Sequence, residues 1–382
     1  MNNKLYKPFL FLLILFGFSF RAFAAFEPLS EVITTPVGPV KESSTIKLPM
    51  ITWGGDAATI FTNGLSTRTQ KGSLFDQAGL DVNLVRQDDF KQQLREYLSG
   101  ETPFLRCTVG MCNQAIELLS KDERTKPVVI YQMTWSKGGD GLVAKKGIGH
   151  TKYLRGKTIS LQAYGPHVDF LTTMLQDQKI GVDEVTLDWQ PDLTLSDNAP
   201  AASFLNTDVD AAFMVLPDAL VLTSNRSIGS GSDGSVEGAR LITSTMFFKR
   251  IIADVYVVRS DYFDSNRGQV KKLVAALMEG QRQMLAVMDQ LNTKQRVQLL
   301  TKAAEYLLDD KTALGPMEEL ILDAEFVDLA ANRQFLQSED YQHNLPNLTA
   351  RIQSAYQDLG LIGGNYPIQS AQWSYNEMAL AQ

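Results

Sequence analysis

Short apolar or alternating runs recur along the chain and predict β-strands, and amphipathic stretches between them predict helices. Glycines such as Gly79 and Gly100 close several of these helices. The predicted strands are 46–53, 80–85, 104–109, 128–133, 140–146, 158–161, 185–189, 211–215, 241–245 and 253–259. Strands that alternate with helices are typical of an α/β protein with largely parallel sheets.

Beyond residue 266 the pattern becomes helical. The predicted helices are 270–291, 293–308, 317–329 and 348–359. In the first of them Val270, Leu273, Val274 and Leu277 recur every three or four residues, which indicates a face packed on a core.

The strand-and-helix series restarts after about residue 140, and the length of the chain favours two domains. We therefore expect one lobe from residues 46–142 and 254–382 and a second lobe from residues 143–253. The strands 140–146 and 253–259 are expected to cross between the lobes.

The first 24 residues have the pattern of a secretory leader. Lys4 and Lys7 precede the apolar stretch 9–20, and Ala22 and Ala24 form a small-x-small cleavage signal. We therefore expect cleavage after Ala24. Because the apolar stretch is too short for a good membrane span, we also expect the protein to be soluble and periplasmic.

Charge and cysteine content narrow the possible partners. Removal of the leader takes three positive charges with it, so the formal net charge of -7 becomes -10, which argues against a nucleic-acid partner. Cys107 and Cys112 either form a disulfide or stay unpaired, and no histidine lies near them to complete a zinc site. We expect a monomer without metal or cofactor.

Four segments carry a resemblance to a known family. They are residues 72–82 (GSLFDQAGLDV), LSG at 98–100 leading to TVG at 108–110, residues 154–162 (LRGKTISLQ), and residues 208–217 (DVDAAFMVLP). In order and spacing they resemble the substrate-binding proteins of ABC importers, of the nitrate, sulfonate and taurine type and the thiamine-precursor type.

The resemblance implies a two-lobed type II periplasmic binding protein fold, with mixed sheets flanked by helices and a helical C-terminal portion. It also implies a small-molecule ligand in the cleft, hinge closure, and delivery to a membrane ABC permease. The loop at 163–167 departs from the turn common in anion-binding members, which leaves the substrate open.

Ligands of open α/β sheets bind beyond the carboxyl ends of the strands, and this rule selects candidate residues. In the first lobe these are Trp53, Gly54, Gly55, Asp56, Arg106, Thr108, Trp135 and Asp140. Trp53 offers a flat wall, the glycines allow close backbone approach, and Asp56 can hold a cation or a donor. Arg106 in an apolar strand must either meet an acid or face the cleft.

In the second lobe the candidates are Tyr164, Gly165 and His167, at the start of a predicted helix whose N-terminus attracts anions. Met214 is expected to line the opposite wall. Each candidate also has a structural alternative as a cap, a turn or a core residue. The tryptophans and Tyr164 favour a ligand with a flat or apolar part, and the helix N-terminus favours an anionic group.

Two other functions stay open. One is an enzyme on the same fold, related to thiamine-precursor synthases, although the residues around Cys107 do not supply the cysteine-rich segment that those enzymes use. The other is a periplasmic sensor partner that presents its ligand to a receptor. The leading prediction is a binding protein without catalytic residues.

Overall fold

The computed structural model describes residues 26–194, 196–232, 234–374 and residue 378, so the predicted leader lies outside the described residues. The helices are α1 Leu29–Val32, α2 Asp56–Thr62, α3 Leu74–Gln77, α4 Phe90–Ser99, α5 Val109–Leu119, α6 His167–Asp177, α7 Pro200–Ser203, α8 Leu216–Leu222, α9 Ser260–Met288, α10 Lys294–Leu307, α11 Leu314–Leu322, α12 Leu329–Gln337 and α13 Leu345–Asp358. The strands are β1 Thr45–Met50, β2 Asp81–Arg86, β3 Phe104–Thr108, β4 Pro127–Ser136, β5 Asp140–Ala144, β6 Thr158–Gln162, β7 Thr186–Gln190, β8 Ala211–Val215, β9 Arg240–Ser244, β10 Ala253–Arg259, β11 Ala324–Phe326 and β12 Gln369–Ser370.

The first sheet has the order β11-β4-β10-β3, with β12 parallel to β4. The parallel pair β1–β2 lies next to β3, where the Thr102 hydroxyl donates to the carbonyl of Lys47 at 2.8 Å. Strand β10 runs antiparallel to both of its neighbours, β3 and β4. The prediction of a largely parallel sheet therefore misses this central strand, which enters from the second sheet.

The second sheet has the order β7-β6-β8-β5-β9. Strand β6 is parallel to β7 and β8, whereas β5 is antiparallel to β8 and β9. We call the elements around the first sheet lobe 1 and those around the second sheet lobe 2. This mixed arrangement confirms the predicted type II two-lobed fold class.

Two connections join the sheets, residues 137–139 between β4 and β5 and residues 245–252 between β9 and β10. The strands expected to cross, 140–146 and 253–259, each lie within one sheet, and the connections before them make the crossing. The Thr245 hydroxyl lies 2.8 Å from the Ser136 hydroxyl and accepts from the backbone N–H of Gly138 at 2.8 Å. Both connections are thereby held together, while the exact lobe limits stay a prediction.

The helical C-terminal portion is present, but the predicted helix 317–329 is wrong. The segment divides into α11, the edge strand β11 and the start of α12, because β11 pairs with β4 over Ala324 to Phe326. At the other end, the residues before β1 contain the short helix α1. Among the described residues no helix is both long and apolar enough to cross a bilayer.

Candidate ligand-binding site

All twelve predicted site residues are buried. They come from loops and strand ends of both sheets, and several of them meet at the connections between the sheets. In this structure none of these side chains is open to solvent.

The loop after β1 packs tightly against the lobe connection. The Trp53 indole N–H donates to the Thr134 hydroxyl at 3.0 Å, and the ring lies so close to Gly139 that a Cβ there would approach it to 2.5 Å. Gly54 faces the carbonyl of Leu320, at 1.9 Å from the position of a Cβ, so only glycine fits. Gly55 packs beside Thr134 in the same way. Both predicted glycines thus allow a close approach, but the group that approaches them in this structure is another part of the protein.

Arg106 lies at the centre of a buried ion network. Its guanidinium donates to Asp56 at 2.9 Å through Nη2 and to Asp254 at 2.8 Å through Nη1. Asp254 also accepts from the Thr134 hydroxyl at 3.0 Å, which links the network to Trp53. The sequence predicted that Arg106 either meets an acid or faces the cleft. Arg106 is fully buried and is paired with two acids, so the first alternative is the one found.

Burial changes the acid–base properties of this network. It raises the pKa of Asp56 to about 7, although Arg106 opposes the rise, and it also raises the pKa of Asp254. One guanidinium faces two carboxyl groups, so with both ionised the network carries one net negative charge. Protonation of one carboxyl group would remove this charge and lower the cost of burying the network in lobe 1.

Asp140 and His167 form the second polar contact. The His167 Nε2 lies 2.7 Å from a carboxylate oxygen of Asp140, and both residues are buried. The other ring nitrogen, Nδ1, is buried with no hydrogen-bond partner among the described residues. His167 begins α6, so the positive end of that helix already faces the carboxylate of Asp140.

Several carboxyl groups near the junction between the lobes are coupled to one another. Burial raises the pKa of Asp218, near His167, and raises that of Asp323 to about 6. The carboxyl groups coupled across this region belong to Asp56, Asp140, Asp218, Asp254 and Asp323. The basic groups acting on them are Arg106, Arg226 and His167. In this coupled set carboxyl groups outnumber basic groups, while the two connections add the basic residues Lys137, Lys249 and Arg250.

Tyr164 has a backbone φ of 62°, in the left-handed region that a bulky residue rarely adopts. Its hydroxyl donates to the carbonyl of Glu27 at 2.7 Å. The next residue, Gly165, accepts from the Gln114 side chain of lobe 1 at 3.2 Å. A Cβ on Gly165 would meet the side-chain oxygen of Gln162 at 2.2 Å, so a larger residue would require that side chain to move.

The remaining candidates have structural roles in this conformation. Thr108 caps α5 by accepting from the N–H of Met111, and a disulfide joins Cys107 to Cys112 beside it. Trp135 points away from Trp53 and packs edge-on against Phe335. Met214 lies in a buried apolar cluster with Phe204 and Val143.

Sequence reasoning missed three contributors. Asp254 and Thr134 complete the ion network. Asp254 could have been found from the sequence, because it is an acidic residue within the otherwise apolar start of strand β10. Asp169 of α6 forms a two-pronged ion pair with Arg351 of α13, at 2.8 and 2.9 Å, and this pair joins lobe 2 to lobe 1. In the described part of the chain no group of three or more metal-ligating side chains is gathered.

Comparison with known families identifies the chain. The family model described as NMT1/THI5 like matches residues 65–289, more than half of the length. The chain belongs to the NMT1/THI5-like family. This membership confirms the resemblance to importer-type binding proteins that the four sequence segments carry. No curated protein matches the sequence significantly.

Solved structures share the fold of this NMT1/THI5-like protein at low identity. The periplasmic aliphatic sulphonate-binding protein SsuA from Escherichia coli is 11% identical, with a TM-score of 0.60 over 86% of this chain and 91% of that chain. SsuA from Xanthomonas axonopodis pv. citri, bound to MOPS, is 13% identical, with a TM-score of 0.59 over 87% and 100%. The desulfurization enzyme DszB is 16% identical, with a TM-score of 0.53 over 89% and 99%. The shared fold thus serves binding proteins and at least one enzyme.

Proposed function

We propose that this protein is a periplasmic solute-binding protein that closes its two lobes over a small organic ligand and delivers it to an ABC permease. The observation that carries the proposal is the position of the predicted residues. Trp53 and Asp56 of lobe 1 and His167 of lobe 2 are buried near the two connections on which the lobes can rotate, and Tyr164 of lobe 2 is buried against residues 26 and 27. Family membership supports the same function.

The charge of the junction suggests the polar chemistry of the ligand. Because the buried carboxyl groups of Asp56, Asp140 and Asp254 outnumber the buried basic groups of Arg106 and His167, a ligand end that is cationic or rich in hydrogen-bond donors would offset their charge better than an anion. Trp53 supplies the flat apolar surface for the rest of the molecule. We therefore favour a flat organic cation or donor-rich ring over the anion expected from the helix N-terminus alone.

A binding role without turnover is further supported by the cysteines. Cys107 and Cys112 are joined in a buried disulfide, so neither supplies the thiolate that nucleophilic catalysis requires. The ligand-presenting sensor role needs the same closing lobes. A permease and an ATPase encoded beside this protein would distinguish transport from sensing.

The test is thermal unfolding with matched pairs of small aromatic amines and aromatic sulfonates. A ligand at a hundredfold excess over its Kd should stabilise the protein by about 2.7 kcal/mol. We expect amines to stabilise it and to be recovered unaltered. Asp140→Asn should weaken that effect, whereas Asp177→Asn, an exposed acid on α6, should not. Stabilisation by sulfonates alone would contradict the proposed ligand charge, and a chemically altered ligand would contradict the binding role.

A further inference from the structure

The N-terminal residues 26–41 contact both lobes. Helix α1 packs on α5 of lobe 1, with Leu29 and Ile33 buried in the main core. The carbonyl of Ser30 accepts from the Lys121 ammonium at 3.1 Å, and the N–H of Gly38 donates to the carbonyl of Leu98 at 2.9 Å. This part of the chain is therefore fastened to lobe 1.

Phe26, just before α1, lies instead against lobe 2. Its ring stacks on Trp189, with centroids 4.1 Å apart and planes at 22°, and on Tyr164, with centroids 4.4 Å apart and planes at 31°. The Tyr164 hydroxyl donates to the carbonyl of Glu27, which fixes the backbone beside the stack. Tyr164 adopts its strained backbone conformation at this contact.

We propose that residues 26–33 form an interlobe strap that shifts the lobes of this protein toward the closed state. Because α1 is fastened to lobe 1 and Phe26 to lobe 2, separation of the lobes must pull Phe26 away from Tyr164 and Trp189. The strap contacts Tyr164, the residue before Gly165, so it lies beside the contact between Gln114 and Gly165 that also joins the lobes. It supplements the Asp169–Arg351 ion pair. This inference goes beyond the proposed function and does not depend on the identity of the ligand.

The experiment measures how often the lobes separate. Gln114→Cys places a thiol at the buried contact between α5 and Gly165, and the native cysteines are held in their disulfide. When opening and closing are faster than alkylation, the alkylation rate follows the open population. Two aromatic stacks are lost in Phe26→Ala, so we expect alkylation at position 114 to become about tenfold faster. Phe26→Tyr, which retains the stack, should keep the slower rate.

A second reporter separates lobe opening from general destabilisation. Leu299→Cys places the thiol in the core of α10, where it is fully buried and remote from the strap contacts. We expect Phe26→Ala to leave the alkylation rate at position 299 unchanged. An unchanged rate at position 114 would overturn the strap, and so would equal acceleration at positions 114 and 299. Either result would leave the proposed solute-binding function standing, because the measurement uses no ligand.

Discussion

The buried ion network makes Arg106→Leu the most informative single substitution. Arg106 donates from Nε and Nη2 to Asp56 and from Nη1 to Asp254, and the guanidinium is fully buried. Leucine removes the only cation of the network and leaves two carboxyl groups facing each other. Loss of one partner of a buried ion pair costs about 3–5 kcal/mol. We expect the free energy of unfolding above pH 7 to fall by about that amount.

The size of this loss should depend on pH. The pKa of Asp56 is already raised to about 7, and without Arg106 the pKa values of both acids rise further. A carboxyl group whose pKa is higher in the folded protein destabilises it as pH rises above the pKa of the unfolded chain, about 4. Below about pH 7 Asp56 is protonated in both folded proteins, so the deficit of Arg106→Leu relative to the wild type should be small near pH 4 and should grow as the pH rises through about 7, where Asp56 ionises in the wild type alone.

Urea unfolding followed by tryptophan fluorescence at several pH values measures this deficit. Arg106→Lys keeps the positive charge but loses the paired N–H donors of the guanidinium. Its loss of stability should therefore be smaller than that of Arg106→Leu but still measurable. Addition of Asp56→Asn to Arg106→Leu should restore part of the stability, because one buried charge is removed. Arg282→Leu, which removes an exposed arginine, serves as the control and should change little. A deficit under about 1 kcal/mol, or one independent of pH, would refute this account of the network.

Two further substitutions test the packing beside the site. Gly54→Ala should lower the melting temperature by the equivalent of about 1–3 kcal/mol or more, because its Cβ would lie 1.9 Å from the Leu320 carbonyl. Gly268→Ala in α9, where the Cβ meets nothing, should raise the melting temperature instead, and equal effects would contradict the steric reading. The double change Cys107→Ala with Cys112→Ala should cost roughly 2 kcal/mol in urea unfolding, the loop-closure contribution for so short a loop. Unaltered stability would mean that this cross-link contributes nothing to the folded state.

The strands were predictable because most of them are apolar runs with buried side chains on both faces, as in β4 and β10. The directions of the strands were not predictable. Strand β10 pairs with β3, about 150 residues away in sequence, and no local pattern in either strand indicates which strand it pairs with. The short edge strand β11 lies within a sequence whose local pattern is helical, so it was not predicted. Pairing with β4 overrides its local preference.

The candidate site shows a similar limit. The sequence indicated that Arg106 needed an acid, but only the fold brings Asp254 to it. Side-chain alternation along β4 could have separated Thr134 from Trp135, because neighbours on a strand point to opposite faces. That rule would have removed Trp135 from the wall that includes Trp53. The role of Phe26 lies beyond any local pattern.

The Thr245 hydroxyl contacts the connection between β4 and β5 while belonging to the connection between β9 and β10. Rotation of one connection without the other would break these hydrogen bonds, so the two must turn together. The lobes are then restricted to bending about a shared axis, and twisting or sliding past each other is disfavoured. In the proposed binding cycle the opposing walls would therefore stay in lateral alignment as the cleft widens, and a solute entering the open form would already face the proposed site residues.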